Sequence, residues 1–285
     1  MTNCKDKISE VINILAEAGV DNPRLDARIL VADILNSDEN SVRFNNDELS
    51  GEQIANIDEY VRRRLSFEPV AKIIGKKDFY KSSFVVNHHV LDPRPDTEIT
   101  VEAAIEYINK YKLSKLVDLG TGSGCISISV AKEIENISVT AVDVSPEALK
   151  IATENVKLNE VSDKVKLVNA SWYDNDIKDK IGTNFDVIIS NPPYIPTKDI
   201  EKLDIDVKKY DPMSALDGGI DGLDDYRKIA QLSSDILVVS GYIFLEIGIN
   251  QTEDVSSIFE DNGFQLSEII KDYSSIDRCL IFKKK

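Results

Sequence analysis

The spacing of apolar side chains changes character twice along this chain. Up to about residue 70 the apolar positions recur only at helical intervals. Ile8, Val11, Ile12, Leu15 and Ala18 form one stripe that ends near Gly19, and Leu25, Ile29, Ala32 and Leu35 form a second. A third runs from Leu49 to Leu65 and opens on Ser50-Gly51-Glu52-Gln53, the residue types and spacing of a capping box. These stripes predict a small helical bundle with no catalytic residues of its own, suited to docking a macromolecule or to capping a larger domain. From Glu68 to Leu91 the pattern breaks at Pro69 and Gly75. Phe79 to Val86 and Val90-Leu91 then predict two short strands joined around Asn87-His88-His89. Beyond this connector, short apolar runs alternate with helical ones. Strands are expected at Leu116–Leu119, Val139–Asp143, Val165–Asn169, Asp186–Ser190, Tyr242–Ile247, Phe264–Ile270 and Arg278–Phe282. Such alternation predicts a parallel sheet covered on both faces, its last two strands close enough in sequence to form an antiparallel edge hairpin.

Composition narrows the classes of function. The 285 residues suffice for an α/β core plus a smaller domain, and the 42% hydrophobic and 29% charged content is that of a soluble globular protein. A net charge of −16 argues against a broad surface that tracks nucleic-acid phosphates. Two local basic runs, Arg62-Arg63-Arg64 and Lys283-Lys284-Lys285, read as a solvated helix end and a frayed tail. Cys4, Cys125 and Cys279 are too few and too scattered for a disulfide framework or a zinc site, which fits a reducing compartment, and Cys125 is expected to pack as a small apolar residue under the turn before it. No apolar stretch has the length of a membrane span and the N-terminus lacks a signal-peptide core, so the expected location is cytoplasmic. His88 and His89, the only histidines, are expected to face solvent in a turn, which leaves a histidine general base unpromising.

Candidate chemistry lies where two of the expected strands end. The run Phe185-Asp186-Val187-Ile188-Ile189-Ser190 meets Asn191-Pro192-Pro193-Tyr194, and two successive prolines forbid the strand from continuing. Asn191 is thereby held at the carboxyl end of a strand, where open α/β sheets place their ligands. A side-chain amide oxygen and unpaired carbonyls there can accept from a planar NH2 group, with Tyr194 covering its face. Upstream, Lys115-Leu116-Val117-Asp118-Leu119 runs into Gly120-Thr121-Gly122-Ser123-Gly124 and a helix beginning at Cys125-Ile126. This is a strand, glycine turn and helix N-terminus of the nucleotide-binding kind. Its Gly-x-Gly-x-Gly spacing differs from the dinucleotide fingerprint, which counts against a nicotinamide oxidoreductase. Asp143, at the tip of the next strand, is placed to accept from two ribose hydroxyls. Ser145 and Pro146 suit the cap and first position of the following helix, and Asp118 is a candidate acceptor for a ligand amino group.

Taken together, these residues resemble the HemK/PrmC family of class I methyltransferases. The resemblance extends through Glu68-Pro69-Val70-Ala71-Lys72-Ile73-Ile74-Gly75, Arg94-Pro95-Asp96-Thr97-Glu98, Pro212-Met213-Ser214-Ala215-Leu216-Asp217-Gly218-Gly219 and Glu246-Ile247-Gly248. It implies a Rossmann-like fold with a mostly parallel seven-stranded sheet and an N-terminal helical bundle. The implied division is residues 1–75 for docking, 76–93 as a β-hairpin connector and 94–285 as the methyltransferase domain. It further implies S-adenosylmethionine as donor, S-adenosylhomocysteine as product, no metal, and the glutamine of the Gly-Gly-Gln motif of class I peptide chain release factors as acceptor. The donor would be held by Gly120, Thr121, Gly122, Ser123, Gly124, Asp143, Trp172 and Asn191, and the glutamine by Asn191, Pro192, Pro193 and Tyr194. Two departures stand out: Ala170-Ser171 precedes Trp172 where much of the family has an Asp, and Asp96 stands where Glu is common. The Ser171 hydroxyl or a backbone carbonyl is the expected substitute.

Asn-Pro-Pro-Tyr is shared with DNA and RNA amino-methyltransferases, and a ribosomal-protein glutamine methyltransferase would use the same clamp. The acidic charge and the lack of aromatic–basic interleaving weigh against a nucleic-acid acceptor, and no direct nucleic-acid binding is expected. A donor-binding scaffold without catalysis would have no need of an amide clamp.

Overall fold

The computed structural model describes residues 2–285. Contacts divide the chain into two units, one made of the residues up to Lys76 together with Asp204–Tyr210, the other of Lys77–Leu203 and Asp211–Lys285. Each is taken by itself.

The first unit is helical: α1 (Cys4–Glu17), α2 (Pro23–Ile34), α3 (Gly51–Arg64) and α4 (Val70–Ile74). The first stripe is buried through Ile8, Val11 and Leu15, with Ala18 exposed, and Ile57 and Val61 of the third are buried beside it. The second stripe is corrected: α2 buries Ala27, Leu30 and Val31 together with Ala32, while Leu25 is exposed and Ile29 and Leu35 are half-buried, because this short helix turns the face one residue on into the bundle. Ser50 and Gln53 form the expected reciprocal cap on α3. The basic run at the end of α3 is not simply a solvated helix end. Arg62 pairs with Glu59 at 2.6 Å on the surface, Arg63 with Glu68 at 2.5 Å and Arg64 with the buried Asp26 at 2.7 Å, so all three charges have partners inside this unit.

The chain then forms β1 (Lys76–Phe79), β2 (Ser82–Val85), α5 (Pro95–Tyr111), β3 (Lys115–Leu119), α6 (Cys125–Glu133), β4 (Ser138–Asp143), α7 (Pro146–Leu158), β5 (Val165–Asn169), α8 (Ile177–Ile181) and β6 (Phe185–Ser190). After α9 (Ile205–Tyr210), which belongs to the first unit, come α10 (Asp224–Ile236), β7 (Leu237–Glu246), α11 (Thr252–Asp261), β8 (Phe264–Lys271) and β9 (Asp277–Lys284). The expected hairpin is displaced. It turns at Tyr80-Lys81, with Tyr80 at φ 54°, and not at Asn87-His88-His89. Phe79 and Phe84 are both buried and meet edge to face at 6.0 Å, so the tight turn between them brings the two rings together. The later segment is a turn closed by the Asn87 side chain accepting from the His89 N–H at 2.9 Å, with no second strand after it.

Seven strands form one sheet in the order β5-β4-β3-β6-β7-β9-β8. The first five of that order run parallel, and β9 and β8 are the expected antiparallel edge hairpin. Alternate residues of each central strand feed opposite cores. Leu116, Val139, Val187 and Phe244 join one cluster, while Val117, Val142, Ile188 and Ile243 join the other. A sheet covered on both faces has side chains buried throughout, and only the strand ends are left for chemistry. Lys283 and Lys284 lie within β9, and Lys284 donates to Ser234 and Leu237 carbonyls at 2.7 Å, so two of the three residues of the basic C-terminal run are part of the sheet. No helix among the described residues is long and apolar enough to cross a membrane.

Candidate active site

The carboxyl ends of β3, β4, β5 and β6 open onto a cavity of about 270 Å³. The turn after β3 takes positive φ at Gly120 (82°), Gly122 (54°) and Gly124 (83°), a conformation glycine alone adopts without strain. It is tied to β4 by the N–H groups of Gly120 and Thr121, which both donate to the Val142 carbonyl at 2.9 Å. Asp143 ends β4 and grips the turn from the other side. One carboxylate oxygen accepts from the Gly122 N–H at 2.8 Å and the other from the Ser145 N–H at 2.9 Å. Burial raises the Asp143 pKa above the usual carboxylate range, against these backbone donors, which favour the charged form. Ser145 also caps α7, whose first residue is Pro146.

Of the expected site residues, Gly120, Thr121, Gly122, Ser123, Asp143, Trp172, Asn191 and Pro193 line this one cavity. Gly124, Pro192 and Tyr194 do not. Gly124 is the buried N-terminal cap of α6, and Tyr194 packs its ring toward the core that α10 covers. Asp118 departs from expectation. It is fully buried and accepts from Thr121 and Ser127 hydroxyls at 2.7 Å, so it braces the turn from beneath and does not line the cavity. Strand alternation points it to the face covered by α6. Burial, with Asp143 nearby, pushes its carboxyl up to about 6. Cys125 lies under the turn as expected and also forms part of the cavity wall. His88 is exposed, but His89 is half-buried and lines the cavity, contrary to a solvent-facing pair.

Trp172 leans across from the end of β5 toward β3, and a Cβ at Gly120 would stand 3.4 Å from its ring. Its indole N–H donates at 2.7 Å to Asp225 Oδ1, which also accepts from the Tyr173 hydroxyl at 3.0 Å. Asp225, at the start of α10, lines the same cavity and supplies a carboxylate to the wall that includes Ser171. The Ser171 hydroxyl is itself engaged, accepting from the Tyr173 N–H at 3.1 Å.

Asn191 stands one residue beyond β6. Its Nδ2 donates to Thr97 Oγ1 at 3.3 Å, and the Thr97 hydroxyl donates to Glu246 Oε2 at 2.6 Å. Glu246 is the buried last residue of β7. The turn after Asn191 is held by a strap from a later loop: Ile195 N–H donates to Leu216 O at 3.0 Å and Gly218 N–H to Ile195 O at 2.9 Å. Gln251 closes it, donating to the carbonyls of Tyr194 at 3.0 Å and Gly222 at 3.2 Å. Sequence reasoning gave no role to Thr97, Glu246, Asp225 or Gln251. Thr97 and Glu246 do lie in segments that carried the family resemblance, whereas nothing local marks Asp225 or Gln251.

The family described as the PrmC N-terminal domain matches residues 7–75, and the Methyltransferase small domain matches residues 97–205. The chain is 37% identical over 275 residues to the release factor glutamine methyltransferase of Agrobacterium fabrum, covering 95% of this chain and 93% of that protein. It is 39% identical over 284 residues to that of Thermodesulfovibrio yellowstonii, covering 98% and 97%. Among solved structures, the hMettl16 catalytic domain superposes with a TM-score of 0.54 at 17% identity, over 70% of this chain and 74% of that one, a likeness of fold.

Proposed function

The chain belongs to the family of release factor glutamine methyltransferases, and we propose that it transfers a methyl group from S-adenosylmethionine to the side-chain amide nitrogen (N5) of the glutamine in the Gly-Gly-Gln motif of class I peptide chain release factors. The observation that carries this reading is the end of β6. The Asn191 amide turns its NH2 inward to Thr97, which leaves its oxygen as an acceptor beside a cavity walled by a glycine turn, a carboxylate and an indole.

The residues present fit the donor. The Gly120–Gly124 turn lets backbone approach closely, Asp143 offers acceptor lone pairs at the strand tip for ribose hydroxyls, and Trp172 gives a flat apolar wall. Bound there, S-adenosylmethionine supplies a methyl group already made electrophilic by its sulfonium. An amide nitrogen is a poor nucleophile because its lone pair is delocalised into the carbonyl, so the protein's task is alignment. Asn191 Oδ1 and the Pro192 carbonyl accept the two amide hydrogens and direct the nitrogen lone pair at the methyl group. Both acceptors gain strength as positive charge develops on nitrogen. Tyr194, its ring packed toward the core, backs the turn from the side away from the cavity, and the excess proton leaves to solvent after transfer, so no general base is needed. We assign docking of the factor to the N-terminal helices.

Removing the acceptor tests the assignment. Asn191→Ala is expected to cut turnover by roughly 100-fold or more, the scale of a lost transition-state hydrogen-bonding group, while donor affinity by calorimetry stays within about threefold. Turnover near that of the wild type would exclude Asn191 from the clamp.

A further inference from the structure

We propose that Glu246, acting through the hydroxyl of Thr97, fixes which end of the Asn191 amide faces the substrate, and is thus the positioning residue of the clamp. The inference rests on the function proposed above. An Asn amide has nearly the same shape either way round, so sterics alone do not choose between oxygen and NH2. Only one choice works: an outward NH2 would meet the acceptor's own NH2, donor against donor.

The chain of hydrogen bonds has a single polarity. An ionised carboxylate accepts only, so Glu246 Oε2 draws the one hydroxyl proton of Thr97 to itself at 2.6 Å. Thr97 Oγ1 is left with lone pairs toward Asn191, which answers with Nδ2 at 3.3 Å. A flipped amide would set its oxygen against those lone pairs. Glu246 is 2% exposed and Thr97 3%, which leaves no room for bulk water to rescue the wrong orientation. The fold places all three together. Ser190 pairs with Leu245, so the next residues, Asn191 and Glu246, are the adjacent ends of parallel strands, and Thr97 comes from the first turn of α5.

Burial pushes the Glu246 carboxyl up to about 7, opposed by the Thr97 hydroxyl, the Arg278 guanidinium from β9 and the Asn191 amide; Asp96 of α5 adds to the rise. The other titratable groups close by stay neutral in this range: burial pushes Tyr194 up to about 12, as it does Cys125 and Cys279, and raises Tyr226, whose hydroxyl donates to the Glu246 carbonyl at 2.8 Å, well above the usual tyrosine value. Protonating Glu246 turns it into a donor, frees the Thr97 proton for the amide oxygen and reverses the clamp. The direction is therefore a kcat that falls as pH drops through about 7.

The test is kinetics on the full chain with donor and release factor. Thr97→Val, which keeps shape and loses the hydroxyl, is expected to lower kcat about 10–100-fold with donor KM unchanged, and Thr97→Ser to recover to within about threefold. Glu246→Gln keeps an acceptor that does not titrate. It is expected to retain kcat within about tenfold and to lose the acid limb near pH 7. Equal losses in Thr97→Val and Thr97→Ser, or an acid limb that persists in Glu246→Gln, would overturn the relay. A second readout needs no acceptor protein: the Asn191 side-chain NH2 resonances should be protected from exchange and should shift as Glu246 titrates. Solvent-like exchange in the wild type would overturn the relay. Protection and titration in a wild type that leaves release factor unmethylated would retain it and reject the proposed function.

Discussion

Asp143 shows how one side chain can brace a turn and still face a cavity. Its two oxygens each take one backbone N–H, from Gly122 and Ser145, which sets the glycine turn against the end of β4. Each oxygen keeps a further lone pair, which the proposed function gives to the donor's ribose. Asp143→Ala is therefore expected to weaken donor binding by about 1–3 kcal/mol, the scale of a lost charge-assisted contact, in a calorimetric titration; unchanged affinity would remove it from the site. Asp143 was legible in the sequence because it is the last residue of an apolar run. Asp118 was not, because it stands one residue inside its strand, where alternation sends the side chain into the interior to meet Thr121 and Ser127. The Glu246–Thr97 pair was illegible for another reason: the two residues are 149 positions apart, and no local pattern joins them.

At the scale of elements, strand ends were easy to read and their supports were not. The prolines after β6 announce a turn, and the sheet order brings that turn beside β3 and its glycines. What holds the turn in place comes from later in the chain. A Cβ at Gly218 would lie 2.7 Å from the Pro193 carbonyl oxygen and 2.9 Å from the Tyr194 Cα, so the strap packs directly on the backbone of the turn after β6. Gly218→Ala is expected to cost about 1–3 kcal/mol of stability in denaturant unfolding and to lower turnover with it, because backbone atoms must shift. Wild-type stability and turnover together would show the strap to be incidental. The connector hairpin was misplaced because Asn87-His88-His89 has turn composition, yet the buried pair Phe79 and Phe84 closes the chain earlier.

For the whole molecule, the −16 charge and the placement of the basic runs bear on the choice of acceptor. Arg62, Arg63 and Arg64 are all paired within the helical unit and Lys284 is bound into the sheet, which leaves little of either run for tracking a phosphate backbone. The alternation of strands and helices made the fold class readable, since a parallel sheet covered on both faces imposes that pattern over long stretches. The identity of the acceptor rests on the clamp and on family membership together. The most direct measurement is methyl transfer from labelled S-adenosylmethionine to a purified class I release factor, beside a variant whose Gly-Gly-Gln glutamine is replaced by alanine. Label entering the intact factor and absent from the variant is the expected result. Equal labelling of both, or label in neither despite donor binding, would contradict the assignment of that glutamine as the acceptor.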